Sequence, residues 1–430
     1  MTVHSITTSD SPWVIDGSGS WKGNAIAAGD TFEIAAGTYA GRLKLTNMPG
    51  TVANPITFTN TGGQAIFTGN STYTVLMDDN NSYVTIDGSG HAGTTYGIVC
   101  RTDQFKIEDR ADNITVRYVE FDTSTLIGFR ITQVSHITTP NTNITVENCW
   151  FHDVVTEGCY LGNNLASATD YILSDIIVRD CLFEDCGEAI DLNGCHGFFA
   201  FRDNTILRTV TGGIGALNAA IAVSNSGAAG INGYIERNWI DNCDENGINF
   251  VESDGADTET VWIQNNVFLN CGNGAATAKH DGIRIQGAGP TVRAVNNTIR
   301  NTGNGTDGRG IRLSETRHYA VNNIVIESDV DDISLAVGVP AGNATNNLTS
   351  DTTGGDATTR TTASIAFINE AADDYRLTAA SPAVDAGTAT DAPTDDYLQN
   401  TRDSSPDVGA YEYIAAVAIL MSDYRRRRNA

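Results

Sequence analysis

Apolar and polar positions alternate along this chain in short bursts, and between residues 143 and 328 one burst returns seven times. Aligned, the copies read VENCWFHDV from Val146, VRDCLFEDC from Val178, FRDNTILRT from Phe201 and IERNWIDNC from Ile235. They continue as IQNNVFLNC from Ile263, AVNNTIRNT from Ala294 and AVNNIVIES from Ala320. A repeat with a fixed core and variable spacing predicts a solenoid whose loops tolerate insertion. Val146, Val178, Phe201, Ile235, Ile263, Ala294 and Ala320 form one apolar column. Five residues on, Phe151, Phe183, Ile206, Ile240, Phe268, Ile299 and Val325 form a second. Between them runs a column of Cys149, Cys181, Asn204, Asn238, Asn266, Asn297 and Asn323. Stacked strands lie about 4.8 Å apart. Interior asparagines at that spacing can bond to one another and to backbone, satisfying groups that would each cost roughly 1–3 kcal/mol unpaired.

Each of the first six copies is followed by a segment with period-2 alternation: GCYL at 158, AIDL at 189, AIAV at 220, GINF at 247, GIRI at 282 and GIRL at 310. GFRI at 128 is an earlier member. Apolar second and fourth positions with a variable third predict a strand with one buried face. No 3.6-residue period competes. The pattern predicts an all-β, single-stranded parallel β-helix, about ten coils long.

The asparagine ladder, the NN turns and the Gly-Ile-x-Ile strands resemble the right-handed parallel β-helix proteins of the pectate-lyase-like group, including phage tailspike-like and polysaccharide-lyase-like members. GDTFEIAAGTYAG (29–41) with NPITFTN (54–60) is similar to the first coils of such proteins. YRLTAASPAVDAG (375–387) with RDSSPDVGAYEY (402–413) is similar to the C-terminal closure of bacterial and phage members. The resemblance covers about 30 to 413. It implies fold far more strongly than activity, because one fold hosts many chemistries.

The expected organisation is an N-terminal lead-in at 1–28, a β-helix at 29–350 and a closing cap at 351–413. A tail at 414–430 turns from apolar to RRRR. That tail is a candidate assembly segment, for a homotrimer or a larger particle; a disordered basic tail is the alternative reading. The opening MTVHSITTSDSPWVIDG has neither a basic nor an apolar leader segment. This favours a virion component released by lysis over an exported protein, in either case acting extracellularly. A secreted lyase lacking its leader is a third reading.

Composition narrows the partners. The formal net charge is −26, from 52 acidic and 26 basic residues. Nucleic-acid binding needs a basic face and is excluded on that ground. No stretch is apolar enough to insert in a membrane. The eight cysteines lack metal-site spacing. Cys186, Cys243 and Cys271 share a column, read as stacked thiols in preference to a disulfide.

The variable third position of the period-2 strands, expected to face solvent, carries Arg130, Tyr160, Asp191, Ala222, Asn249, Arg284 and Arg312. The column at the strand start carries Glu157, Glu188, Ala219, Asn246, Asp281 and Arg309. Carboxylates, an aromatic, an amide and guanidinia in line suit an extended polysaccharide; a merely solvated polar face is the alternative. Glu157, Glu188 and Asp191 fit the acid and base or nucleophile of glycoside hydrolysis. Lys279, His280, Asp281 and Arg284 fit the cation and base of eliminative uronate cleavage. There the alternative is that Arg284 and Arg312 are merely solvent-side partners for Asp281 and Glu315. Arg130, Tyr160, Asn249, Arg309 and Arg312 are candidate substrate contacts. The resemblance implies Ca²⁺ as the candidate cofactor, with no ligand set assigned. The functional expectation is a β-helix protein that binds, and in one reading cleaves, a polysaccharide. The contrasting expectation is a non-catalytic structural or adhesive particle component.

Overall fold

A computed structural model of the chain describes residues 1–69, 72–132, 141–162, 173–195, 197–210, 219–225, 230–252, 258–274, 280–356, 358–362 and 364–415. The fold is all-β, a right-handed parallel β-helix in which nearly every pairing joins a strand to its equivalent one coil later. The chain divides into two compact units, one mainly residues 1–200 and the other mainly 201–430.

In the first unit the parallel pairing starts with Val3–Ile6 against Thr31–Tyr39. It continues through Ile56–Phe67, Asn81–Asp87, Ala111–Arg117, Asn141–Glu147 and Leu173–Arg179. The shorter strands Val119–Asp122, Trp150–His152 and Leu182–Cys186 continue each coil. The period-2 strands form a separate sheet: Leu43–Thr46, Tyr73–Asp78, Gln104–Glu108, Phe129–Thr132, Glu157–Gly162 and Glu188–Asn193. Inside, equivalent aromatics stack: Phe121 on Phe151 at 4.3 Å and Phe151 on Phe183 at 4.6 Å. Stacking at the rung spacing explains why this apolar column favours flat rings.

The second unit repeats the plan with Ile231–Glu236, Thr260–Gln264, Thr291–Val295 and His318–Val321 as first strands. Its period-2 strands are Asn246–Glu252, Ile283–Gln286, Arg309–Leu313 and Asp331–Leu335. The expected ladder is continuous here. Nδ2 of Asn204, Asn238, Asn266, Asn297 and Asn323 each donates to Oδ1 of the next asparagine, ending on Asn347, at 2.9–3.0 Å. From Asn238 on, Nδ2 also donates to the apolar-column carbonyl of the preceding coil, as from Asn266 to Ile235 at 2.8 Å. Cys149 and Cys181 of the first unit direct their thiols at the same carbonyls, Val116 and Val146. They are therefore weak donors as well as space fillers. All eight cysteines are free and buried.

Two local rules explain the repeat. The residue before each ladder position turns the chain at positive φ: Asn148, Asp180, Asp203, Arg237, Asn265, Asn296, Asn322 and Asn346 lie at 51–58°. Asn and Asp tolerate that region better than other non-glycine residues, which accounts for the NN pairs. Five of the seven period-2 segments, those from 128, 158, 247, 282 and 310, begin at glycine, where coils approach closely; those from 189 and 220 begin at alanine. A Cβ on Gly158 would sit 2.8 Å from the Ala189 carbonyl and the Phe183 ring, and one on Gly247 would sit 2.6 Å from the Gly282 carbonyl.

Residues 364–415 are laid along the outer face of the short second strands of the second unit. Trp239, Val267, Leu269, Ile324 and Ile326 pack there against Phe367, Tyr375, Tyr397, Val408 and Tyr411. The positive-φ asparagines double as anchors. Asn265 donates to the Asp395 carbonyl, Asn296 to the Asp407 carbonyl and Asn322 to the Thr388 carbonyl. Buried Arg402 bridges Glu412 at 3.0 Å and Asn265 at 2.9 Å.

Candidate functional site

The parallel register sets Glu157 opposite Glu188 and Tyr160 opposite Asp191. Glu188 is fixed at its strand start by donation of its N–H to the Thr156 carbonyl at 2.7 Å. One oxygen from each of Glu157, Glu188 and Asp191 lies within 4.8 Å of the others. All three residues are buried, at 8%, 2% and 6% exposure, and Oδ1 of Asp191 has no hydrogen-bond partner. Burial, and then the charge of Glu157, pushes the Asp191 carboxyl up from 3.8 to about 7.

Below Asp191 the same outward column runs through Tyr160, Arg130, Lys106, Leu76 and Lys44. The Arg130 guanidinium lies 5.4 Å from the centre of the Tyr160 ring. The Lys106 ammonium lies 5.3 Å from that of Tyr73 and pairs with Glu108. Sequence reading missed Lys106. The signal was there, because Phe-Lys-Ile at 105–107 has the parity of Phe-Arg-Ile at 129–131. The expectation of a solvent-facing strip needs correction. Tyr160, Asp191, Asn249 and Lys106 are all buried, since rungs about 4.8 Å apart press outward side chains against one another.

In the second unit the strand-start column gathers a different group. Asp281, at 2% exposure, receives the Arg309 N–H on Oδ1, and its own N–H donates to Oδ1 of Asn246. Its Oδ2 lies 4.0 Å from both Arg284 and Arg312, and its Oδ1 lies 3.9 Å from the Arg309 guanidinium. Burial raises the Asp281 carboxyl, and the three arginines offset only part of that rise. Asn249, Arg284 and Arg312 are in register, and Gln286 bonds to both Asn249 and Arg284. His280 is buried, with Nδ1 unbonded and Nε2 3.5 Å from the Asn304 amide. Lys279 lies outside the described residues, as do residues 416–430 of the tail.

A third cluster had no sequence signal. Asp122 pairs in register with His152, and Glu120 with Trp150. His152 contacts Glu120 at 3.3 Å and Asp153 at 2.9 Å beneath the Trp150 ring, while Arg101 holds Asp122. Burial alone would lower the imidazole, but its hydrogen bonds to Glu120 and Asp153 and the Asp122 charge raise it to about 9. This is a satisfied ion-pair network around a charged histidine. Among the described residues no helix is long and apolar enough to cross a membrane.

No family profile matches the sequence, and no curated protein is similar to it in sequence. Solved structures are similar in fold. The pectate lyase Pel9A aligns over 96% of this chain and 97% of its own, at 15% identity and a TM-score of 0.50. A rhamnogalacturonan lyase aligns over 99% and 98%, at 13% identity and a TM-score of 0.42. A PL6-family polysaccharide lyase from Pseudopedobacter saltans aligns over 96% and 95%, at 15% identity and a TM-score of 0.42. The likeness to Pel9A is one of fold, a parallel β-helix.

Proposed function

We propose that this chain binds and cleaves a polysaccharide along the outward side of its period-2 strands, with Glu157, Glu188 and Asp191 as the chemical centre. The observation that carries the reading is the convergence of three buried carboxylates within 4.8 Å, one of them with an unbonded oxygen. Three such groups cannot all ionise unaided, so the cluster needs either a proton or a cation. The donor set is all oxygen, which fits Ca²⁺, and the free lone pairs of Asp191 Oδ1 are the natural place for it. When bound, such an ion supplies positive charge against the carboxylate of a uronate sugar.

The chain's own residues do the rest. Arg130 and Lys106 place cationic charge along the column, and Arg130 orients the Tyr160 ring. In this reading Tyr160, one rung from Asp191, exchanges a proton with the sugar. The reaction in this reading is eliminative cleavage of a uronate-bearing chain. A hydrolytic reading is favoured by the burial of Asp191 beside Glu157, which raises its carboxyl to about 7, so that about half of it carries a proton at neutral pH. That is an acid and a carboxylate at about the 5 Å separation of retaining hydrolysis. In either reading the protein works outside the cell, as a secreted enzyme or a tailspike-like particle component.

Incubation with neutral and uronate-containing polysaccharides, with Ca²⁺ or with a chelator, tests this. New ultraviolet absorbance from unsaturated ends, lost in Tyr160→Phe and on chelation, is expected for elimination. Reducing ends without absorbance, lost in Asp191→Asn, would establish the hydrolase. Silence across the panel would overturn catalysis and leave a structural or adhesive component.

A further inference from the structure

The second unit contains a groove that the carboxylate centre does not use. It lies between the outer face of the strands Ile231–Glu236 and Thr260–Gln264 and the C-terminal loop 391–395, with a volume of about 360 Å³. That is in the lower part of the range of about 300–1,000 Å³ for small-molecule sites. Its floor is a two-by-two grid set by the register. Tyr234 pairs with Trp262, and Glu236 pairs with Gln264. One half is therefore two partly exposed aromatic rings on adjacent rungs, and the other two planar side chains joined by a 3.0 Å bond from Gln264 to Glu236.

The opposite wall is fixed in place. Asn265 donates to the Asp395 carbonyl at 2.7 Å, and Arg293, stacked on Trp262 and Tyr319, pairs with Asp391. The groove is thus preorganised, which lowers the ordering cost of binding. Its charges nearly cancel: Arg237 and Arg202 face Asp203 and Glu236, and Arg293 pairs with Asp391, leaving Asp395 as the excess. A polyanion gains nothing there. A neutral hexopyranose has the complementary chemistry, with a C–H face for an aromatic ring and vicinal hydroxyls for a planar carboxylate or amide.

We propose that this groove is a separate binding site for neutral hexopyranose units of a polysaccharide, with Tyr234 and the part of Trp262 that Arg293 does not cover as the apolar contact and Glu236 and Gln264 as the hydroxyl contacts. The proposal does not depend on cleavage at Asp191. Calorimetric titration of the full chain with neutral cello-, manno- and galacto-oligosaccharides, and with oligouronates as contrast, tests it. At least one neutral series should bind. Trp262→Ala and Gln264→Ala should each weaken it tenfold or more with the folded circular dichroism spectrum retained. No binding by any neutral series would overturn the proposal. So would binding that survives both groove variants, or groove-dependent binding confined to oligouronates.

Discussion

Asp191 is the residue whose behaviour most directly reports the proposed centre. Its carboxyl is shifted from 3.8 to about 7, so the folded chain keeps a proton that the unfolded chain releases. Its contribution to stability is therefore full below about pH 4, declines as pH rises to about 7 and is flat above. Asp191→Asn should remove that slope, as read by urea midpoints across the window. His152 has the same sign in a higher window. Its imidazole is held near 9 against an ordinary 6.5, so its stabilisation is lost between those values, and His152→Gln should flatten the profile there. Legibility at this scale was uneven. Glu157, Glu188 and Asp191 were readable because the period-2 pattern sets register, and register alone brings them together. The Asp281–arginine group was half readable, since only the strand-start and third-position columns taken together bring Asp281 to Arg284, Arg309 and Arg312. His152 was not, because its column carries unlike residues from coil to coil, with Asp122 on one side and Glu184 on the other, so its place in the repeat does not mark it.

Among elements, the asparagine ladder was the most legible, since its period is the coil itself. Asn266 accepts from the N–H and Nδ2 of Asn238 and donates to Asn297 and Ile235. Asn266→Ala strands several buried groups at once, each worth about 1–3 kcal/mol. It should lower the unfolding free energy by about 3 kcal/mol or more, measured by urea denaturation. The lateral seat of residues 364–415 was not legible, because irregular segments carry no period. A hint lay in Trp239, Val267, Leu269, Ile324 and Ile326, which are apolar on the outward parity as well as the inward one. Arg402 pins this segment. Removing it leaves Glu412 buried without its cation, a loss of about 3–5 kcal/mol. Arg402→Ala should expose residues 364–415 to proteolysis while the ladder amides stay protected from hydrogen exchange, because a solenoid's coils are stabilised mainly by their neighbours.

For the molecule as a whole, a net charge of −26 both opposes a polyanionic sugar and favours dications. Diffuse attraction and a built site differ in how they respond to salt and to single substitutions. A cation held only by overall charge would be displaced at moderate ionic strength, with little difference between Ca²⁺ and Mg²⁺. One held by Glu157, Glu188 and Asp191 would resist screening, because those groups are buried. It would also prefer the larger ion, which accepts irregular oxygen sets that Mg²⁺ does not. Binding to the folded chain stabilises it by about 2.7 kcal/mol at one hundred times the dissociation constant. Thermal unfolding in physiological salt should therefore shift upward with Ca²⁺, return on chelation and respond less to Mg²⁺. In Asp191→Asn the shift should disappear. A shift that persists in that variant would assign the cation to the general acidic surface, and the buried carboxylates would then be left to share a proton, as the hydrolytic reading requires.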